Sequence, residues 1–293
     1  MKYGLHLNSE SKIDRIVQKG VEAERLGLDS IWICDMPSQR YGPIVASAIA
    51  SRTSKIQIGL GFSPFLHTYH QIVSTFYSLI NAYGERFELC LVPGDRNQLQ
   101  KVGVFRFKSV RDRILKAKVE IMKKSEEQGL NFEISLGAQG PKMLRIASSF
   151  DSLHLNFCSP RIIEWAKSEI GSIENFFQVG IFAPSYIYDI FDQDIYELLY
   201  RSAKAVILGS SDRFLKILGF YEELYGVDGR PDNSFFERIP LKMIKEFSIS
   251  MPSKKLKEYI LTIKNLGVTN IVFSYPQDYS IDTIRDLAKS LNK

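Results

Sequence analysis

The chain has 293 residues, 45% of them hydrophobic and 24% charged, with 38 Lys and Arg against 33 Asp and Glu. That is ample apolar material for one large core, and no apolar run approaches the roughly 20 residues that span a bilayer. The net charge of +5 comes from basic residues spread along the chain without aromatic interleaving, which argues against nucleic acid as a partner.

Short apolar runs with the length and β-branched or aromatic content of buried strands alternate with segments of helical period. In chain order the predicted strands are 3–7 (YGLHL), 30–34 (SIWIC), 56–62 (IQIGLGF), 87–92 (FELCLV), 132–137 (FEISLG), 152–157 (SLHLNF), 176–182 (FFQVGIF) and 271–275 (IVFSY). In the first predicted helix Ile13, Ile16, Val17, Gly20 and Val21 share a stripe, with Ser9 or Ser11 as N-cap. LGLDSIWI (26–33) and LGVTNIVF (266–273) repeat one device, in which a glycine closes a helix in the left-handed conformation before a strand. Strand–helix alternation demands parallel pairing with crossover helices. Eight strands in this length predict an α/β fold, a (β/α)8 TIM barrel, with an open doubly wound sheet as the alternative. Residues 1–293 are read as one domain. The helix-rich stretch 188–250, with a turn-prone segment at 225–234 (YGVDGRPDNS), is expected to be an insertion before the last barrel strand, and EFSIS (246–250) a short excursion outside the barrel.

Cys34, Cys90 and Cys158 are far apart in apolar runs and read as buried free thiols of a reducing compartment. The opening MKYGLHLNSESK lacks the apolar stretch of a secretory signal, so a cytoplasmic protein is expected.

A barrel of this kind carries its site at the C-terminal ends of the strands. Those ends are His6; Asp35; Gly61, Phe62, Ser63 and Pro64; Pro93, Gly94 and Asp95; Gly137, Ala138, Gln139, Gly140 and Pro141; then Asn156 and Ser159. GAQGPKML (137–144) runs from strand to helix with small residues and then proline at the first helical position. Bare amides there would attract a phosphate, aided by the helix dipole; an ordinary strand-to-helix turn is the alternative. Neither a Walker loop nor a dinucleotide fingerprint is present. Gly61 before Phe62 marks a bend that either brings main chain against a flat ring or forms a simple bulge. Asp95 and Asp35 are each a proton-handling or ring-binding carboxylate, or else a helix cap. His6 alternates with Leu5 and Leu7, and is an acid–base group at the barrel mouth or a hydrogen-bonded core residue. His67 and His70 are a turn apart but lack further ligands, so no metal is expected.

These strand-end residues resemble one family, the archaeal methylenetetrahydromethanopterin reductases within the bacterial-luciferase-like TIM-barrel superfamily. ISLGAQGPKML (134–144) is the most specific match, supported by DSIWICD (29–35), IQIGLGFSP (56–64), GERFELCLVPGDRNQLQKVG (84–103), SAKAVILGSSDRF (202–214) and EFSIS. The resemblance implies an oxidoreductase using the deazaflavin coenzyme F420, a two-electron hydride carrier with a phosphate-bearing tail, on a pterin-like or other small organic substrate. Gly137, Ala138, Gln139 and Gly140 match the segment that holds the coenzyme phosphate. Gly61–Phe62, followed by Ser63, matches a non-prolyl cis peptide that backs the deazaflavin ring, and Asp35 and Gly94–Asp95 match coenzyme-side and acidic positions. His6 or Asp95 would move the proton. The alternatives are an FMN-dependent monooxygenase and a degenerate member that binds a ligand or partner without redox catalysis. A homodimer is implied by resemblance alone. The chain departs from the family pattern at His6, where a glutamate is usual, and at Met36, Cys90, Val92, His67, Tyr69 and Met251. The bulk added at Cys90 and Val92 is expected to narrow the coenzyme cleft.

Overall fold

The structure, a computed structural model, describes residues 1–105, 109–171, 177–226 and 239–292. Strands β1 (Lys2–His6), β2 (Ser30–Cys34), β3 (Gln57–Phe62), β4 (Phe87–Leu91), β5 (Ile134–Ala138), β6 (Ser152–Leu155) and β7 (Gln178–Tyr188) pair in sequence, all parallel. After β8 (Ile249–Pro252), β9 (Asn270–Ser274) lies between β7 and β1 and closes the ring. β8 stands outside it, paired in parallel with the outer half of β7 from Ser185 to Tyr188. The fold is thus the closed eight-stranded barrel expected from the alternation.

Helices α1 (Ile13–Arg25), α2 (Gly42–Ala50), α3 (Tyr69–Tyr83), α4 (Arg96–Lys101), α5 (Val110–Glu127), α6 (Pro141–Leu144) and α7 (Pro160–Ile170) form the crossovers through β6. Between β7 and β8 come α8 (Gln193–Gly209), α9 (Asp212–Leu218), α10 (Tyr221–Tyr225) and α11 (Leu241–Phe247). α12 (Ser253–Asn265) and α13 (Ile281–Asn292) complete the coat.

Strand alternation sorts the side chains into two apolar layers. Leu5, Ile31, Ile33, Ile58, Leu60, Leu89 and Leu91 face the helices in the main core. The opposite face fills the barrel, where Trp32, Cys90 and Val272 pack with Val92 and Phe182. The Trp32 indole lies so close over Gly59 that a Cβ there would come within 2.3 Å of the ring, and its edge meets the His154 imidazole at 4.5 Å. Below it Nε2 of His154 is 3.4 Å from the Glu88 carboxylate. A filled barrel of this kind is a core and not a pore.

The repeated helix-closing device takes the expected form. Gly27 and Gly267 have φ of +79° and +87°, and the amides of Leu28 and Val268 reach back to the carbonyls of Ala23 and Ile263. That pattern satisfies helix-end carbonyls at the entry to β2 and β9.

Three expectations change. α1 is capped by Lys12 without a side-chain bond, because the loop carbonyls of Ser9 and Ser11 are tied to Arg40 and hold both serines away from the helix start. β7 continues through Pro184 to Tyr188, since β8 supplies a partner for its outer half. Glu246 and Phe247 end α11, so the EFSIS strand begins only at Ile249. Phe176, and the 225–234 turn from residue 227 onward, lie outside the described residues.

Candidate active site at the barrel mouth

His6 ends β1 with its side chain inside the barrel. Its Nδ1 lies 2.9 Å from Oγ of Ser274 at the end of β9, and its ring is 5.2 Å from Phe182. Nε2 is buried without a partner. Burial holds the imidazole below its ordinary value of 6.5, against an opposing pull from Asp278. Asp278 is itself fully buried in the β9–α13 loop. Its Oδ2 accepts from the Asn8 amide at 2.9 Å and from Nζ of Lys19 at 3.4 Å, whereas Oδ1 has no partner.

Asp35 at the end of β2 is committed on both oxygens. Oδ2 is 2.6 Å from Nε2 of His67, and Oδ1 accepts the Gly42 amide at 2.8 Å, capping the start of α2. It therefore braces the rim. His67 is turned to Asp35 while His70 is exposed, and among the described residues no group of three or more His, Cys, Asp or Glu is arranged to hold a metal.

The bend expected at Gly61–Phe62 is absent. The cis peptide bond found among the described residues is Tyr275–Pro276, so Gly61–Phe62 is trans. The reason lies in the ladder: the Gly61 carbonyl accepts from the Asp35 amide and the Phe62 carbonyl from the Val92 amide, both at 3.0 Å, which keeps the strand regular to its end. The Phe62 side chain points away from the mouth onto Phe76 of α3, 6.4 Å between centroids, and onto His67 at 4.9 Å. Gly61 sits in register between Cys34 and Cys90, and a Cβ there would meet nothing nearer than the Cys34 sulfur at 3.5 Å. It leaves a flat patch of wall. Burial pushes the Cys34 thiol up to about 12, so it is no nucleophile at neutral pH. Ser63 is fully engaged, donating to the Pro93 carbonyl and accepting from the Phe65 amide.

After β4, Gly94 takes a φ of +85°, which favours glycine, and turns the chain into α4. Asp95 caps that helix, with Oδ1 accepting the Gln98 amide at 2.8 Å. Its Oδ2 lies 3.1 Å from where a Cβ on Gly209 would stand. β1 and β4 are three strands apart in the ring, and among the described residues no hydrogen bond joins Asp95 to His6.

Gly137 and Ala138 lie in β5, followed by Gln139, with Gly140 as N-cap and Pro141 opening α6. The amides of Gln139, Gly140 and Lys142 donate to no acceptor among the described residues, and Nε2 of Gln139 is buried without a partner. Gly140 faces the Ser211 hydroxyl, 3.6 Å from a Cβ position on the glycine. These donors suit an anion. α6 is only four residues long, so the attraction comes from the bare amides and not from an extended dipole as expected. At Gly137 Cγ1 of Val92 stands 2.6 Å from a Cβ position, so the valine side chain packs directly on the glycine.

Taken around the rim, His6 Nε2, Ser9 Oγ, Gln39 Oε1, Gln98 Oε1, Gln139 Nε2 and Asp278 Oδ1 are six of the ten buried side-chain atoms without partners among the described residues. All six lie at or just beyond the C-terminal ends of strands. A recess of about 350 Å3 is lined by two of them, Ser9 and Gln39, together with Glu10, Ser38 and Arg40. Ser274, Asp278, Gln98 and Ser211 were not among the candidates from sequence, and His67 was weighed only as a metal ligand. Only for Ser274 was there a signal, the inward alternation Asn270, Val272, Ser274.

The sequence model of the luciferase-like monooxygenase family matches residues 2–133. A 5,10-methylenetetrahydromethanopterin reductase from Archaeoglobus fulgidus is 23% identical over 94% of both chains. The coenzyme F420 dependent tetrahydromethanopterin reductase from Methanopyrus kandleri superposes with a TM-score of 0.80 at 21% identity, covering 99% of this chain and 97% of its own. An F420-dependent secondary alcohol dehydrogenase, solved with an F420-acetone adduct, reaches 0.77 at 15% identity over 100% and 99%. The chain is a TIM-barrel protein that is similar over nearly its whole length to a methylenetetrahydromethanopterin reductase.

Proposed function

We propose that the chain is an oxidoreductase that binds coenzyme F420 across the barrel mouth and reduces or oxidises a small organic substrate there. One observation carries this reading: the strand-five segment offers to an anion, beside the Ser211 hydroxyl, three amides that have no acceptor among the described residues and the orphaned Gln139 amide group. Buried polar atoms without partners are rare in proteins, and a ligand is a frequent reason for them. Bound F420 would supply a ring carbon able to give or take a hydride. Gln139, Gly140 and Lys142 would hold its anionic tail. Gly61 would present flat wall to the ring, and His6 would direct Nε2 toward the substrate. The protein's contribution is orientation and hydrogen bonding in a water-poor mouth.

FMN is the second reading, favoured by the monooxygenase family model on residues 2–133. Titrating the purified protein with each coenzyme separates the two. Saturable binding of F420 at micromolar concentration with weaker FMN binding supports the first; no F420 binding at high micromolar concentration removes it.

The same proposal includes a homodimer and a cytoplasmic setting. α2 and α3 contain no Asp, Glu, Lys or Arg, yet they flank an outer groove of about 800 Å3 with Ile44 exposed at its edge. An uncharged face on a chain of net charge +5 suits a second copy of itself.

A further inference from the structure

The two ring nitrogens of His6 have unlike surroundings. Nδ1 is 2.9 Å from Ser274 Oγ, while Nε2 is buried and unpaired. Ser274 is itself buried, and its hydroxyl makes no other hydrogen bond among the described residues. A hydroxyl has one hydrogen to place, and Nδ1 is the acceptor within reach. With Nδ1 accepting, the proton of a neutral imidazole must sit on Nε2. The ring is wedged against Phe182 and lies in register beside Trp32, neither of them charged. Among the described residues Asp278 is the one charged group acting on it, and that carboxylate is already held by the Asn8 amide and Lys19. Burial dominates and keeps the ring neutral near pH 7.

We propose that Ser274 is the positioning residue for His6: its hydroxyl selects the Nε2–H tautomer, so that His6 meets the substrate as a neutral hydrogen-bond donor. The inference rests on the oxidoreductase reading, which makes the mouth the place where substrate sits. A neutral imidazole is a weak acid, yet its N–H polarises an acceptor atom strongly in a buried site. His6 is then an electrophile, and the substrate must bring a hydrogen-bond acceptor to it.

The chain has four histidines, so all the imidazoles can be followed by long-range proton–nitrogen correlation in 15N-labelled protein, with His6 assigned by its loss in His6→Gln. At pH 7.5 the wild type should show a protonated Nε2 and an unprotonated Nδ1 for His6. Ser274→Ala should shift both nitrogens toward the averaged values of a tautomer mixture, and Ser274→Thr should restore the wild-type pattern. Unchanged signals from His67, His70 and His154 report an intact fold. A wild-type His6 protonated on Nδ1, or a Ser274→Ala pattern identical to wild type, overturns the proposal. F420 titration of the same samples keeps the two readings apart: failure to bind removes the redox reading, while the tautomer result decides the role of Ser274.

Discussion

The two faces of the barrel differ in how far their buried polar groups are paired. On the N-terminal face one carboxylate oxygen of Glu24 accepts three consecutive amides, those of Ser54, Lys55 and Ile56, at 2.7–3.0 Å. The buried Arg86 guanidinium donates to Thr53 Oγ1 and to the carbonyls of Ala50, Thr53 and Ile56. Asp29 and Asp151, each just ahead of a strand, accept the amides of Tyr3 and Ile134 at 2.7 Å. Among the described residues six orphaned atoms lie on the C-terminal face, against Arg86 Nε and Asn270 Oδ1 on the N-terminal one. One end of the molecule is knit for stability, and the other keeps hydrogen-bonding capacity in reserve for a ligand.

Substitutions on the two faces should separate this contrast. The largest loss is expected for Arg86→Ala, which leaves three buried carbonyls unsatisfied and should cost about 3 kcal/mol, read as a lower midpoint in urea. Glu24→Ala should follow at about 1–2 kcal/mol, since the amides it releases are partly open to water. At the mouth the sign should reverse. Gln139→Leu removes an unsatisfied donor and should leave stability unchanged or raise it by about 0.5 kcal/mol, while F420 affinity falls about tenfold. A stability loss as large as that of Arg86→Ala would erase the distinction.

Acid should reveal the same asymmetry. The folded His6 binds its proton less readily than the unfolded chain, so the unfolded state holds more protons as pH falls below 6.5. Stability present above 6.5 is therefore lost on going lower, and His6→Gln should flatten that slope in urea titrations. For Glu24, burial raises the carboxyl's pKa, but the three amide bonds outweigh it and the net shift is downward. Its contribution stands above the ordinary value of 4.5 and disappears as pH drops through the lower folded value. The smallest effect on stability belongs to Ile44→Glu, which should leave the unfolding midpoint in place and yield a monomer by light scattering.

The barrel itself was legible because parallel strands buried on both faces are short apolar runs, and SIWIC matches β2 residue for residue. Gly27 and Gly267 were legible because a left-handed helix stop calls for glycine. The far end of β7 was not, since Pro184 interrupts the run and the pairing with β8 is made across a long insertion. The mouth was legible only in part. The bare segment at Gln139 could be read locally, but Ser274 beside His6 and Asp278 beside Asn8 are contacts across 268 and 270 residues. Asp35 looked available for the same reason: its partner His67 is 32 residues on, brought back by the β3–α3 loop. Asp95 showed both its readings in sequence, and the structure realises the cap.

A crystal structure of the protein soaked with F420 tests the account most directly. The predicted result places an anionic oxygen of the coenzyme tail on the amides of Gln139 and Gly140, with the deazaflavin ring over Gly61. Coenzyme held elsewhere, with those amides paired to protein acceptors, would contradict it.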